Sequence, residues 1–309
     1  MKKQSFGITD LLLIWVACLW GLHPLFIKMG IGYLPMAIFN PLRMAVAAIT
    51  ALVILWGSKE YQKMSFKDFA KVMGLGICGF FFYQYCFGMG STMTTSGNVS
   101  FIFALVPVSI ALLNVVINHE KIGLMTMLGI CISVVGVMVI ITGSGQNIVF
   151  SGENLKGIGM VFVAQLAFAL FTVYSGELSK KYSSNQITSY CIVITALLFI
   201  MISSRELIAF DYSTLSGGAW LSALLSGGLA VSMGSCLWTW GAKRLGSTKA
   251  ALYNNFPPIF TMVAVYIVDG ETFTMIQILG AAMIFIGLYV AKSKQKENHV
   301  EVKTGKIAS

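Results

Sequence analysis

Polar chemistry is scarce in this sequence and concentrated at a few positions inside apolar stretches. Arg43 sits about 8 residues, or roughly 12 Å of helix, inside one such stretch. A charge at that depth must face a protein interior and find an anion. The paired donors of the guanidinium would clamp the carboxylate of a bound solute; fixed bonds to backbone carbonyls or to an internal acid answer the same need. His23 is the one histidine inside an apolar stretch, and it shares a helix face with Trp20, three residues earlier. It reads either as a neutral hydrogen-bonding group or as the best candidate to titrate near neutrality. Tyr83, Gln84, Asn98, Gln165, Trp238 and the consecutive Tyr253, Asn254 and Asn255 complete the set of candidate substrate-binding residues. Together they make a polar, aromatic-rich interior suited to a polar solute with an apolar portion. For each taken singly, a hydrogen bond to a neighbouring helix is the competing use.

Other chemistry is not supported. No Asp or Glu lies near the centre of an apolar stretch, so proton coupling would rest on His23, or be absent and leave facilitated diffusion or exchange. Glu120 and Glu271 stand at turns that end a stretch, where capping or tying of loops is expected. The six cysteines all fall in apolar stretches without CxxC spacing and read as small buried hydrophobes. His119 and Glu120 are adjacent but lack catalytic partners, and HExxH is absent. No catalytic residue, metal or cofactor is assigned.

The elements that must position these residues follow from hydropathy. Of the 309 residues, 57% are apolar and only 11% charged, and the mean hydropathy is +0.80; soluble domains carry roughly 25% charged residues. Ten stretches approach the roughly 20 residues needed to cross a bilayer. They run 11–29, 36–56, 69–90, 99–116, 124–142, 155–175, 187–202, 220–240, 250–268 and 276–291. The first follows Lys2 and Lys3 but has span length and no small-residue cleavage site, so it is expected to be a transmembrane helix rather than a leader. With ten spans, one face collects 17 of the 21 Lys and Arg, the other holds Lys28, Lys156 and Arg205, and Arg43 lies within a span. That asymmetry predicts cytoplasmic termini in a multi-pass protein of the cell inner or plasma membrane. It also accounts for the net charge of +9 without nucleic acid. Pro24, Pro41, Pro107, Pro257 and Pro258 lie in or at the ends of spans, where they are expected to kink helices around a cavity.

Setting residue n against n + 151 reveals an internal repeat without gaps. Gly76 meets Gly227, Gly90 meets Gly241, Ser96 meets Ser247, Pro107 meets Pro258, Glu120 meets Glu271, Gly129 meets Gly280 and Gly136 meets Gly287. Five spans per copy is an odd number, so the second copy enters the membrane from the opposite face. The predicted fold is all-α, with ten transmembrane helices as two inverted five-helix repeats. The first repeat covers 1–145 and the second 151–292, with a charged cytoplasmic tail over 293–309. Inverted repeats of this kind build secondary transporters, with the site near the midplane between the halves.

Trp20-Gly21 in the first span, Arg43 in the second, and Pro followed 13 residues later by Glu and 9 further on by Gly in both halves resemble the EamA family of the drug/metabolite transporter superfamily. The resemblance covers about Leu11 to Ala291. It implies a ten-helix carrier of small metabolites, often moved outward, with relatives that export amino acids. The expected partners are a small-molecule substrate and the lipid bilayer, with a homodimer left open. The alternatives are a membrane sensor or scaffold without transport, for which the loops are too short to hold a soluble domain, and an enzyme of lipid substrates, for which no site is found. Tyr253, Asn254 and Asn255 stand where the first half has Ile102, Phe103 and Ala104. That loss of symmetry marks the first place to look for substrate.

Overall fold

The computed structural model describes residues 7–145, 152, 154–269 and 274–293; Glu271 and the charged tail from 294 onward lie outside them. Among the described residues every regular element is helical, and nine helices are long and apolar enough to cross a membrane. We number the spans α1 (Ile8–Ile31), α2 (Met36–Ser58), α3 (Phe66–Thr92), α4 (Ser96–Ala104 and Val106–Asn118), α5 (Leu124–Gly143), α6 (Leu155–Leu178), α7 (Ser184–Ile202), α8 (Gly217–Leu245), α9 (Ser247–Ala250, a 3-10 turn Ala251–Asn255, then Pro257–Asp269) and α10 (Met275–Ser293). The tenth expected span is α9, whose break leaves its longest regular piece at 13 residues. Large apolar side chains such as Ile49, Val53, Leu279 and Ile286 are exposed on the outside of the bundle, as a lipid-facing surface requires.

The halves are inverted, and the glycine contacts make this visible. On α5 and α10, Gly129 packs on Gly287 and Gly136 on Gly280. Numbers rise along one helix as they fall along the other, so the two helices are antiparallel. Each glycine of α5 meets the repeat counterpart of the other α5 glycine, so a two-fold exchange carries one contact into the other. The same exchange relates α2 to α7. Gly76 packs against Ile194, and Gly227 against the backbone carbonyl of Arg43, the residue that Ile194 replaces in the second copy. Gly74, also on α3, faces open space.

Two further irregularities repeat. A π-helical stretch runs over Gly76–Phe81 in α3 and over Leu224–Met233 in α8. Its positions correspond between the copies, and such widened turns often mark functional sites. The prolines of the fourth and ninth spans act differently from the expected mid-helix kinks. Pro107 lies in the first turn of the second piece of α4, and Pro257 opens the second piece of α9. A proline is tolerated there because the first turn's N–H groups have no partner within the helix. Leu105 and Phe256 are thus matched breaks, each followed by a new helix, whereas Pro24 and Pro41 sit inside continuous helices.

Close approach at the glycines gives a direct test. A Cβ on Gly280 would stand 2.6 Å from the carbonyl oxygen of Gly136. Gly280→Val is expected to lose about 1–3 kcal/mol, seen as a lower Tm of the purified protein. Gly159→Ala, with open space around its Cβ, should leave Tm unchanged or slightly higher.

Candidate functional site

A cavity of about 230 Å³ lies inside the bundle, bordered by α1, α3, α4, α5, α6, α9 and α10. Its walls are aromatic at the centre, with Trp20, Tyr83, Phe103 and Phe168. The Tyr83 and Phe168 ring centroids are 5.0 Å apart, and Trp20 meets Phe168 edge-on at 5.5 Å. Ser144 at the end of α5 and Gln277 at the start of α10 also border it. The cavity therefore reaches from mid-bundle toward the end carrying those two residues. Its polar lining includes His23, Ser100, Asn254, Asn255 and Thr261. None of the described lining residues is Asp, Glu, Lys or Arg.

Local structure sets each of these side chains. On α1, Trp20 donates its indole N–H to the Ala230 carbonyl at 3.0 Å, and His23 Nε2 lies 2.9 Å from Ser226 Oγ, its donor or acceptor role set by the tautomer. Both partners belong to the π-helical stretch of α8, so the widened turn anchors the cavity face of α1. Gly21, next to Trp20, admits the start of the second piece of α9: a Cβ there would stand 2.6 Å from the Pro257 carbonyl oxygen. Thr261 Oγ1 donates to the Gly21 carbonyl at 2.8 Å across this contact. The Trp20-Gly21 pair thus combines a cavity wall with a helix crossing.

Of the sequence-designated residues, Trp20, His23, Tyr83, Asn254 and Asn255 meet at the cavity, and the other six do not border it. Arg43 is 1% exposed; its Nε donates to Asn40 Oδ1 at 2.8 Å and its Nη2 to Gln84 Oε1 at 3.3 Å. It stands behind the wall, near enough to His23 and Tyr83 for its charge to reach both. Gln84 is therefore turned to Arg43. Asn98 Nδ2 donates to Thr94 Oγ1 at 2.8 Å at the N-terminal turn of α4. Gln165 Nε2 donates to Ser109 Oγ at 3.1 Å, joining α6 to α4. Trp238 donates to Thr172 Oγ1 at 3.0 Å and lies against Trp20 at 5.1 Å, as a layer behind the cavity wall.

The triplet on α9 divides. The Tyr253 hydroxyl donates to Asp10, whose Oδ1 also receives Lys292 Nζ from α10. Asp10 was not among the sequence candidates, because the apolar stretch begins only at Leu11; the Gly7 N–H donates to its Oδ2 at 2.8 Å. Asn254 Nδ2 points to the Phe103 carbonyl at 3.4 Å, across the break of α4. Phe103 is the repeat counterpart of Asn254, so the pseudo-two-fold axis passes here, at the cavity. Asn255 is fully buried and borders the cavity, yet neither its Nδ2 nor its Oδ1 has a hydrogen-bond partner.

At the end of the bundle opposite Gln277, polar groups tie the helices together. Besides the Asp10–Tyr253–Lys292 cluster, Asn114 Nδ2 on α4 donates to Ser247 Oγ at 2.7 Å and to Thr248 Oγ1 at 2.9 Å. Thr248 in turn donates to Glu120 Oε2 at 3.1 Å. Glu120 thus ties the turn after α4 to the start of α9, where Gly246 adopts the left-handed φ of 83° that the reversal after α8 requires. Among the described residues no group of three or more His, Cys, Asp or Glu is placed to hold a metal ion.

The profile of the EamA-like transporter family matches this chain twice, over residues 7–142 and 155–292, which are the two structural halves. An uncharacterized transporter of Archaeoglobus fulgidus is 26% identical over 280 residues, covering 89% of this chain and 95% of its own. The uncharacterized transporter YyaM of Bacillus subtilis is 25% identical over 265 residues, 85% of this chain and 87% of its own. A protein of Salmonella typhimurium named as a probable amino-acid metabolite efflux pump is 23% identical over 303 residues, 94% of each chain. A solved crystal structure superposes with a TM-score of 0.76 at 17% identity, covering 94% of this chain and 99% of that one, a likeness of fold. With both halves matched in order and spanning the membrane, the chain belongs to the EamA-like transporter family.

Proposed function

We propose that this transporter is a secondary carrier that exports small polar or amphipathic metabolites, such as amino acids, by alternating access through the central cavity. In this reading the membrane is the cell membrane and both termini are cytoplasmic, so the Asp10 end is the cytoplasmic end and the Gln277 end faces outward. The observation that carries it is the placement of the cavity. It lies where the broken spans of the two inverted halves meet, at Asn254 and its counterpart Phe103. A site on the pseudo-two-fold axis can be offered to either face by exchanging the conformations of the halves. The polar ties at the Asp10 end then describe one state, closed inward. In the other state Tyr253, Asp10 and Lys292 separate while the Gln277 end closes. The efflux named for the Salmonella relative agrees in direction.

Arg43 has a structural job in this proposal. It holds Asn40 and Gln84 beneath the crossing where Gly227 packs on its own carbonyl.

Counterflow in proteoliposomes tests the function. Vesicles with the full chain should exchange at least one member of a panel of labelled amino acids and small metabolites faster than empty vesicles, and the exchange should saturate. A panel that moves no faster than in empty vesicles would sink the proposal. Arg43→Met should lower Tm, by a loss of about 1–3 kcal/mol for buried groups left unpaired, and weaken carboxylate-bearing and neutral solutes alike. Selective loss of carboxylates would put Arg43 in the binding site.

A further inference from the structure

Asn255 presents a buried carboxamide with nothing bonded to it. Among the described residues, buried side-chain atoms without partners occur on Arg43, Ser133, Gln165, Ser232 and Asn255. Of these residues, Asn255 alone borders the cavity. On Gln165 and Arg43 the rest of the polar group is bonded, whereas on Asn255 donor and acceptor both stand open. An unpaired buried amide is destabilising unless something completes it. A carboxamide with both sides open is complementary to a ligand edge that carries an N–H beside a C=O, since the two then form a closed pair of hydrogen bonds.

The rest of the cavity limits what can carry that edge. Trp20, Tyr83, Phe103 and Phe168 give it aromatic walls, which favour a flat ring. Its described lining holds no Asp, Glu, Lys or Arg, so a charge placed there would lose its hydration with no carboxylate, ammonium or guanidinium in the wall to replace it. Arg43, buried behind the wall, spends Nε and Nη2 on Asn40 and Gln84.

We infer that the transported solute is an uncharged planar ring bearing an amide-type N–H/C=O edge, a carboxamide or a lactam, read by Asn255 while its ring lies among the central aromatics. The inference rests on the cavity being the transport site, and it narrows the proposed metabolites to members without net or zwitterionic charge at the bound edge.

Two pairs of probes test it, each an uncharged amide against an anion on the same ring: nicotinamide against nicotinate, and uracil against orotate. Calorimetric titration of the full chain in nanodiscs should give at least about tenfold tighter binding of the uncharged member in a pair. Asn255→Leu, close in shape and without hydrogen-bonding groups, should weaken nicotinamide and uracil by roughly tenfold or more while Tm stays level or rises. The inference is overturned if neither uncharged probe binds, or if the anions bind as well or better. It is equally overturned if Asn255→Leu lowers Tm and leaves the affinities unchanged, which assigns the amide to packing. Counterflow separates this from the broader proposal. Vesicles that exchange a charged amino acid, uninhibited by nicotinamide or uracil, refute the uncharged class and leave a transporter. Vesicles that exchange nothing refute transport, and the titrations still decide the ligand.

Discussion

A backbone break inside a bilayer is tolerated only where protein or water satisfies the groups it frees, and this fold depends on two of them. The breaks at Leu105 in α4 and Phe256 in α9 occupy matching positions in the two copies, each followed by proline in the first turn of a new helix. Neither could face lipid, so both turn inward, and inversion of the repeat brings them together on the pseudo-two-fold axis. Asn254 reaching the carbonyl of its own counterpart, Phe103, is the point of contact. The cavity follows from that meeting, because helices interrupted by turns cannot pack as closely as the unbroken α5 and α10, which touch through glycine.

Symmetry explains the frame, and departures from it explain the state. Glycines, π-helical stretches and breaks recur in both halves. Among the described residues Asp10, Tyr253, Lys292 and Asn114 make side-chain ties between spans at one end, whereas at the other end Thr274 Oγ1 donates to the Gly143 carbonyl. A carrier with two equivalent halves must be asymmetric at any moment, since a path open at both ends would leak. In the proposed cycle the polar ties at the Asp10 end supply that asymmetry. The same 3-10 turn that holds Tyr253 against Asp10 also places Asn255 at the cavity.

Much of the frame was legible in the sequence, because hydropathy, proline and glycine act through the backbone and the repeat shows them twice. The helical class, the spans and the crossing glycines follow from those signals. The side chains were harder. Tyr253, Asn254 and Asn255 read as one polar patch, but a 3-10 turn has three residues per turn, so neighbours point in three directions: to Asp10, to Phe103 and into the cavity. Tyr83 and Gln84 part for the same reason on an α-helix, one to the cavity and one to Arg43. The depth of Arg43 leaves a carboxylate clamp and a fixed structural bond both open, because depth does not reveal facing; in the fold its Nε and Nη2 bond Asn40 and Gln84. Asp10 escaped notice because it precedes the first apolar residue of its span, although the fold buries it to 4% exposure. Phe168 and Gln277 carried no signal that separates a cavity wall from a packed interior.

In the proposed cycle one cavity is offered to one face at a time, with the Asp10 cluster closing the other. The most direct measurement is the reactivity of a single cysteine at Ser100, in an otherwise cysteine-free chain, toward an impermeant maleimide applied from each face of sealed membrane vesicles. The expected result is modification from the Gln277 face alone in the parent, with reactivity moving to the Asp10 face in Asp10→Ala. Equal modification from both faces, or an unchanged pattern after Asp10→Ala, would contradict alternating access controlled by that cluster.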